Sequence, residues 1–373
     1  MLSVSLSVAL VGPLGVQLEH SLGIDSEYLG VLVALYFAGW VAASPVASTL
    51  SRRFGPLAVM RTTTICGGLL LVAMTLLGNR AWHLAVLMPV SGAAAGIAQP
   101  SINAYLASAL ATRKLGGAMG LKQAVSPASS LLAGLAVPTI ALTVGWRWAF
   151  LVATLPALVT LVLLEREMAD EEPTKERPPA SALPPLRALV VLMLGSGLAT
   201  SYASTVLTFV VVSAVQTGFR PAAAGILVAV VSSVAVAARV GLGAVANRLV
   251  SRPFIWVTVM VLSGAAGCGL LAVGTSQHIL AVFALGASIA VGVGWGWSGL
   301  FYLGVVGSNR GSEAKATSIV QVGGGAGTAL GPLVFGVVAS SLSFTAVWIG
   351  AGCVGVVAAC TMVIGARLLG AHH

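Results

Sequence analysis

Two ionised side chains, Lys122 and Arg239, sit inside long apolar stretches of this 373-residue sequence. A cation left in hydrocarbon costs roughly 2.5–3.5 kcal/mol on insertion scales, and no Asp or Glu lies deep in the same stretches to offset it. The chemistry such a pair offers is anion binding. A guanidinium fork takes both oxygens of a carboxylate, and an ammonium adds a point charge beside it. Lys122 follows Lys114 by eight residues and Arg239 precedes Arg248 by nine, so on a helix each lies roughly 12–14 Å inside the nearest loop charge. Snorkelling of the two side chains back to that surface is the competing reading.

Other chemistry is scarce. The ten acidic residues fall in loops or in one hydrophilic stretch, from Glu19, Asp25 and Glu27 through the cluster at 165–176 to Glu313. His20, His83 and His278 sit near the ends of apolar stretches, and His372 and His373 end the chain. Cys66, Cys268, Cys353 and Cys360 lack the spacing of metal ligands. No acid, base, nucleophile or ligand set converges, so an enzyme is not expected, nor any metal or cofactor. Polar or aromatic residues within the apolar stretches that stand out are Gln99, Asn103, Gln123, Tyr202, Trp295, Trp297, Tyr302 and Gln321, with Tyr36 and Trp40 as weaker candidates. Each is a candidate substrate contact, and for each, packing between helices is the alternative.

The elements that must position these residues follow from composition. Hydrophobic residues make up 58% of the chain and charged ones 8%, too few to build a water-facing surface. The apolar residues fall in twelve stretches near 1–18, 28–50, 56–78, 82–110, 116–141, 148–165, 187–215, 221–246, 254–274, 278–305, 314–340 and 344–368. Each is long enough for a helix to cross ~30 Å of hydrocarbon. The ~10-residue alternating segments of a transmembrane barrel are absent. The expected fold is therefore an all-α polytopic membrane protein. The first span opens at Met1 without a polar lead-in or the marks of a signal peptide, so part of that helix is expected to be missing.

A net charge of +9 would suggest a nucleic-acid partner in a soluble chain, but the basic residues are placed one-sidedly. With the N-terminus inside, the inner loops and adjoining helix ends hold fourteen Lys and Arg, and the outer ones hold only Arg80, Arg147 and Arg220. This bias sets both termini in the cytoplasm and leaves no charge surplus needing nucleic acid.

The stretch from Glu165 to Arg187, rich in charge and proline, can neither span nor pack. It divides the chain into a half at 1–164 and a half at 188–373, with a cytoplasmic linker at 165–187 between them. Ser48 to Gly55 after span 2 and Gly243 to Val250 after span 8 each place an arginine five residues past a small one. Gln123 and Gln321 likewise occupy matching places in spans 5 and 11. The halves read as an internal repeat that rocks around a midplane site.

Gly243-Ala-Val-Ala-Asn247-Arg248 resembles the loop signature of the major facilitator superfamily, G-x-L-a-D-R-x-G, with Asn for Asp; the first copy keeps Arg53 and Gly55 but has Ser48 and Arg52. Gly327-x-x-x-Gly331-Pro332-x-x-x-Gly336 and Gly145-Trp-Arg-Trp-Ala-Phe150 are also common in that superfamily. The resemblance implies two pseudo-symmetric six-helix halves. Spans 1, 4, 7 and 10 would line a central cavity, and spans 5 and 8 would face each other across the interface. It further implies gating roles for Arg53, Gly55, Gly243, Asn247, Arg248, Gly327, Gly331 and Pro332. The stretch around Arg239 is similar to span 8 of monocarboxylate transporters, whose arginine at the matching position contacts substrate, although Ala235 stands where that family has Asp.

The expectation is thus a monomeric secondary transporter in the inner (plasma) membrane, moving a small organic anion by alternating access. Its partners would be that solute and the lipid bilayer. The alternatives are efflux of drugs or lipophilic metabolites through the same fold and, from another class, a channel or membrane receptor.

Overall fold

A computed structural model of the chain describes residues 1–109, 121–169, 186–249, 253–309 and 313–370. Every element among them is helical. Eleven helices are long and apolar enough to cross a membrane. The remaining span, the first, is built from two shorter pieces, Leu2–Ala9 and Gly15–Leu22. Pro13 lies in the turn between them and lacks the N–H that would continue the ladder to Ala9. The twelve spans are numbered here in chain order.

Spans 2, 3 and 4 are single helices, Ser26–Phe54, Pro56–Leu77 and Ala81–Ala109. So are spans 7, 8 and 9, Leu186–Thr217, Pro221–Leu249 and Pro253–Ser276, and spans 11 and 12, Glu313–Ser341 and Phe344–Gly370. Spans 5, 6 and 10 are interrupted. Span 5 runs as Val125–Ala136 into a π-helical turn at Val137–Ala141, and span 6 as Trp146–Val152 and Leu155–Ala169. Span 10 is Leu280–Ala287, a π-helical turn Ser288–Val293, then Ser298–Gly307.

Short joints make successive spans antiparallel. Asp25 caps span 2 by accepting the Tyr28 N–H at 3.0 Å, so the helix starts there. Gly55 is the single residue between spans 2 and 3, and its φ of 81° is open to glycine at little steric cost. Residues such as Leu69, Leu76, Leu158 and Leu342 point outward and are more than half exposed, the surface expected of a protein whose solvent is lipid.

Within the second half, span 11 lays Gly323, Gly327 and Gly331 against the carbonyl oxygens of Met193, Gly197 and Ser201 on span 7. A Cβ at any of the three would strike backbone, so the small-xxx-small spacing sets the approach of the helices. Ser196 and Thr200 of span 7 reinforce it by donating to the Val320 and Gly324 carbonyls at 3.1 and 2.9 Å.

The two halves also meet. Calling the end near residues 169 and 186 the linker end and the opposite one the far end, their closest backbone approaches lie toward the far end. Gly12 abuts the carbonyls of Leu207 and Thr208, Gly30 abuts Pro332, and Gly134 abuts Gly225. Gly336 lies against Ser26 and Glu27 at the far tips of spans 11 and 2. The far end of the molecule is closed by backbone packed on backbone.

Candidate functional site

The interruption of span 5 begins with Pro127. Residues 121–123 are helical, the ladder breaks at Ala124, and a regular helix restarts at Val125. Pro127 has no N–H to offer the carbonyl four residues earlier, which belongs to Gln123. Span 10 is interrupted at a turn over residues 294–297, which contains Trp295. Span 8, between them, carries Arg239.

The Arg239 guanidinium joins all three. Its Nη1 donates to the Gln123 carbonyl at 3.2 Å, across the boundary between the halves, and its Nη2 donates to the Trp295 carbonyl at 3.0 Å. The same guanidinium lies 4.7 Å from the centroid of the Trp295 ring, within cation–π range. Its Nε is buried and has no hydrogen-bond partner. Neutral dipoles and a π-face therefore hold the charge, and no carboxylate among the described residues pairs with it. A half-buried guanidinium held this way keeps a positive potential and an open N–H, which an anionic or strongly accepting ligand would complete.

Of the candidate contacts, the structure brings Arg239, Trp295 and the Gln123 backbone together. Lys122 precedes Gln123 on span 5, is partly buried, and lies near the Met1 amino group beside span 1. Gln99 and Gln321 are partly buried on spans 4 and 11, and Tyr302 stacks edge-on against Phe301 on span 10. Tyr202 is fully buried inside the second half, where its hydroxyl donates to the Gly294 carbonyl at 2.7 Å. Trp297 is buried against Phe301, 5.4 Å between ring centroids, with its indole N–H unpartnered. Neither Tyr202 nor Trp297 joins the Arg239 cluster through a hydrogen bond or ring contact. The Asn103 side chain lies outside the described residues.

Among the residues assigned to gating, Arg53 sits over the Phe54 ring at 5.4 Å and Gly55 forms the joint already described. Gly327 and Gly331 belong to the stripe packed on span 7, and the Pro332 carbonyl meets Gly30 of the other half. The surroundings of Gly243 and the side chains of Asn247 and Arg248 lie outside the described residues, as does most of the linker at 165–187. Sequence reasoning passed over Pro127 and the far-end glycines Gly12, Gly30, Gly134 and Gly225. For Pro127 the signal was present, since a proline four residues after a carbonyl always leaves that carbonyl without its helical donor.

The family model described as Major Facilitator Superfamily matches residues 1–312. A search of curated proteins found no match. Among solved structures, a D-xylose-proton symporter aligns with a TM-score of 0.74 at 16% identity, covering 97% of this chain and 94% of its own. A bacterial homologue of the human lysosomal transporter Spinster, inward-facing and unoccupied, aligns with a TM-score of 0.74 at 13% identity over 99% and 93%. The xylose transporter XylE from E. coli in an inward open conformation gives a TM-score of 0.74 at 16% identity over 97% and 93%.

Proposed function

The chain belongs to the major facilitator superfamily, a family of secondary transporters that work by alternating access, and we propose that this member carries a small organic anion across the cell membrane. The observation carrying the anion reading is Arg239: a guanidinium at the contact of spans 5, 8 and 10, held by two carbonyls and an indole face, with its Nε–H unfilled. Stabilising such a charge takes an acceptor, and a substrate carboxylate supplies one with full negative charge. The Trp295 face beside it favours a solute with an apolar or planar body next to the acid group.

The working units in this proposal are the halves 1–164 and 188–373, acting as a monomer and joined by a cytoplasmic linker at 165–187. The inside bias of Lys and Arg supports a cytoplasmic linker end and both termini inside an inner or plasma membrane. Closed packing at the far end then corresponds to an inward-facing state. A reporter enzyme fused after His373 is expected to be active in the cytoplasm; activity on the outside reverses the orientation.

Binding tests the anion reading. A ligand that binds only the native state at 100 times its Kd stabilises it by about 2.7 kcal/mol. At least one member of a panel of small mono- and dicarboxylates is expected to raise the melting temperature of the purified protein and to leave Arg239→Gln unmoved. Equal stabilisation of both proteins would remove Arg239 from the site.

A further inference from the structure

One of the two acceptors that hold Arg239 is a carbonyl left without its helical donor by the break in span 5. In a continuous helix the Gln123 carbonyl would receive the N–H of residue 127, and that residue is Pro127. The freed carbonyl faces the other half and accepts from Arg239 Nη1 at 3.2 Å, while the Trp295 carbonyl, in the turn that interrupts span 10, accepts from Nη2 at 3.0 Å. Two interruptions in different halves thus supply acceptors to one guanidinium. With the Trp295 ring beneath it at 4.7 Å, the group is fixed in position and plane, and Nε is its buried nitrogen without an acceptor.

We propose that Pro127 is a positioning residue of the substrate site: by denying the Gln123 carbonyl its helical donor, it leaves that acceptor undivided to aim the Arg239 guanidinium, whose Nε–H stays open to the substrate. The inference rests on Arg239 being the substrate-binding group. It adds that the aim of this group is set from the opposite half, so the site is complete only while spans 5 and 8 are in register. A residue that never touches the solute then controls its affinity.

The reactivity of Arg239 itself reads this directly. Purified protein is treated with phenylglyoxal, which modifies arginine side chains, and the rate at Arg239 is followed by mass spectrometry with exposed Arg53 as internal reference. Pro127→Ala restores an N–H at position 127, and Pro127→Gly does so with a different backbone preference. In both, the Gln123 carbonyl is expected to rejoin the helix and modification of Arg239 to accelerate by about tenfold or more, as for loss of one hydrogen bond to a charged group. Pro138→Ala, later in span 5, supplies no donor to Gln123 and is expected to leave the rate unchanged.

An unchanged rate in both Pro127 variants would overturn the proposal, and so would an equal acceleration in Pro138→Ala, which would mean that span 5 had merely loosened. Benzoate and lactate serve as protecting probes in a parallel arm. Protection of Arg239 in the parent, weakened in Pro127→Ala, supports a site aimed at substrate. If Pro127→Ala accelerates modification but neither probe protects the parent, the aiming of Arg239 stands and the carboxylate reading fails.

Discussion

Arg239 holds a full charge on two carbonyl dipoles and an indole face, and each of those partners makes a separable contribution. Lysine at this position keeps the charge but loses the fork and the planar stacking. Arg239→Lys is therefore expected to insert normally and to lose most transport. The indole face is worth about 0.5–2 kcal/mol. Trp295→Ala should weaken apparent affinity by about two- to thirtyfold, and Trp295→Phe, which keeps a smaller π-face, by less. Equal losses in Phe and Ala, read from transport saturation curves, would show that the ring face does not contribute. The charge of Arg239 and its depth were legible in the sequence, because no other charge except that of Lys122 lies deep in the apolar stretches. Its partners were not. They are backbone carbonyls, which carry no residue-type signature, and only the proline four residues past Gln123 marked one of them.

The elements show a division of labour among glycines that spacing alone does not reveal. Gly323, Gly327 and Gly331 face span 7 of the same half, whereas Gly12, Gly30 and Gly134 face the other half. All are small residues in apolar helices, so sequence patterns describe them alike. A Cβ at Gly30 collides with the Pro332 carbonyl, backbone that no rotamer change can move aside, and this contact joins the two halves at the closed far end. Alanine also favours helix over glycine by about 1 kcal/mol, so Gly30→Ala is expected to fold. Its resting state should shift toward an open far end. A cysteine at the buried position Val212, in a background without the four native cysteines, should then react faster with a water-soluble maleimide. Gly327→Leu is expected instead to lower thermal stability by overpacking the second half and to leave that labelling rate alone. Unchanged labelling of the Gly30 variant would remove it from the gate. All twelve spans were legible as long apolar runs, and eleven of them emerge among the described residues as helices of membrane-crossing length. The breaks in spans 1, 5, 6 and 10 were not drawn from that pattern, because hydropathy is blind to where a backbone ladder stops.

At the scale of the molecule, two six-helix halves meet across spans whose far-end contacts are backbone on backbone and whose contact nearer the linker end includes one half-buried guanidinium. Rocking of the halves would separate the first set of contacts and change the register of the second. Closure and substrate capture thereby become parts of one movement. Among the described side chains the carboxylates, those of Glu19, Asp25 and Glu27, lie at the far end, and none pairs with Arg239. Exchange of one anion for another, or entry of a proton with the anion, is the coupling this layout favours. Counterflow tests the whole account at once. Proteoliposomes loaded with excess unlabelled carboxylate, chosen from those that stabilise the protein, are diluted into the same labelled compound at trace concentration. The predicted result is a saturable, transient accumulation of label with the parent protein and none above protein-free vesicles with Arg239→Gln. Transport by Arg239→Gln at the parental rate would contradict the anion site, and a flux that never saturates and shows no overshoot would contradict a carrier.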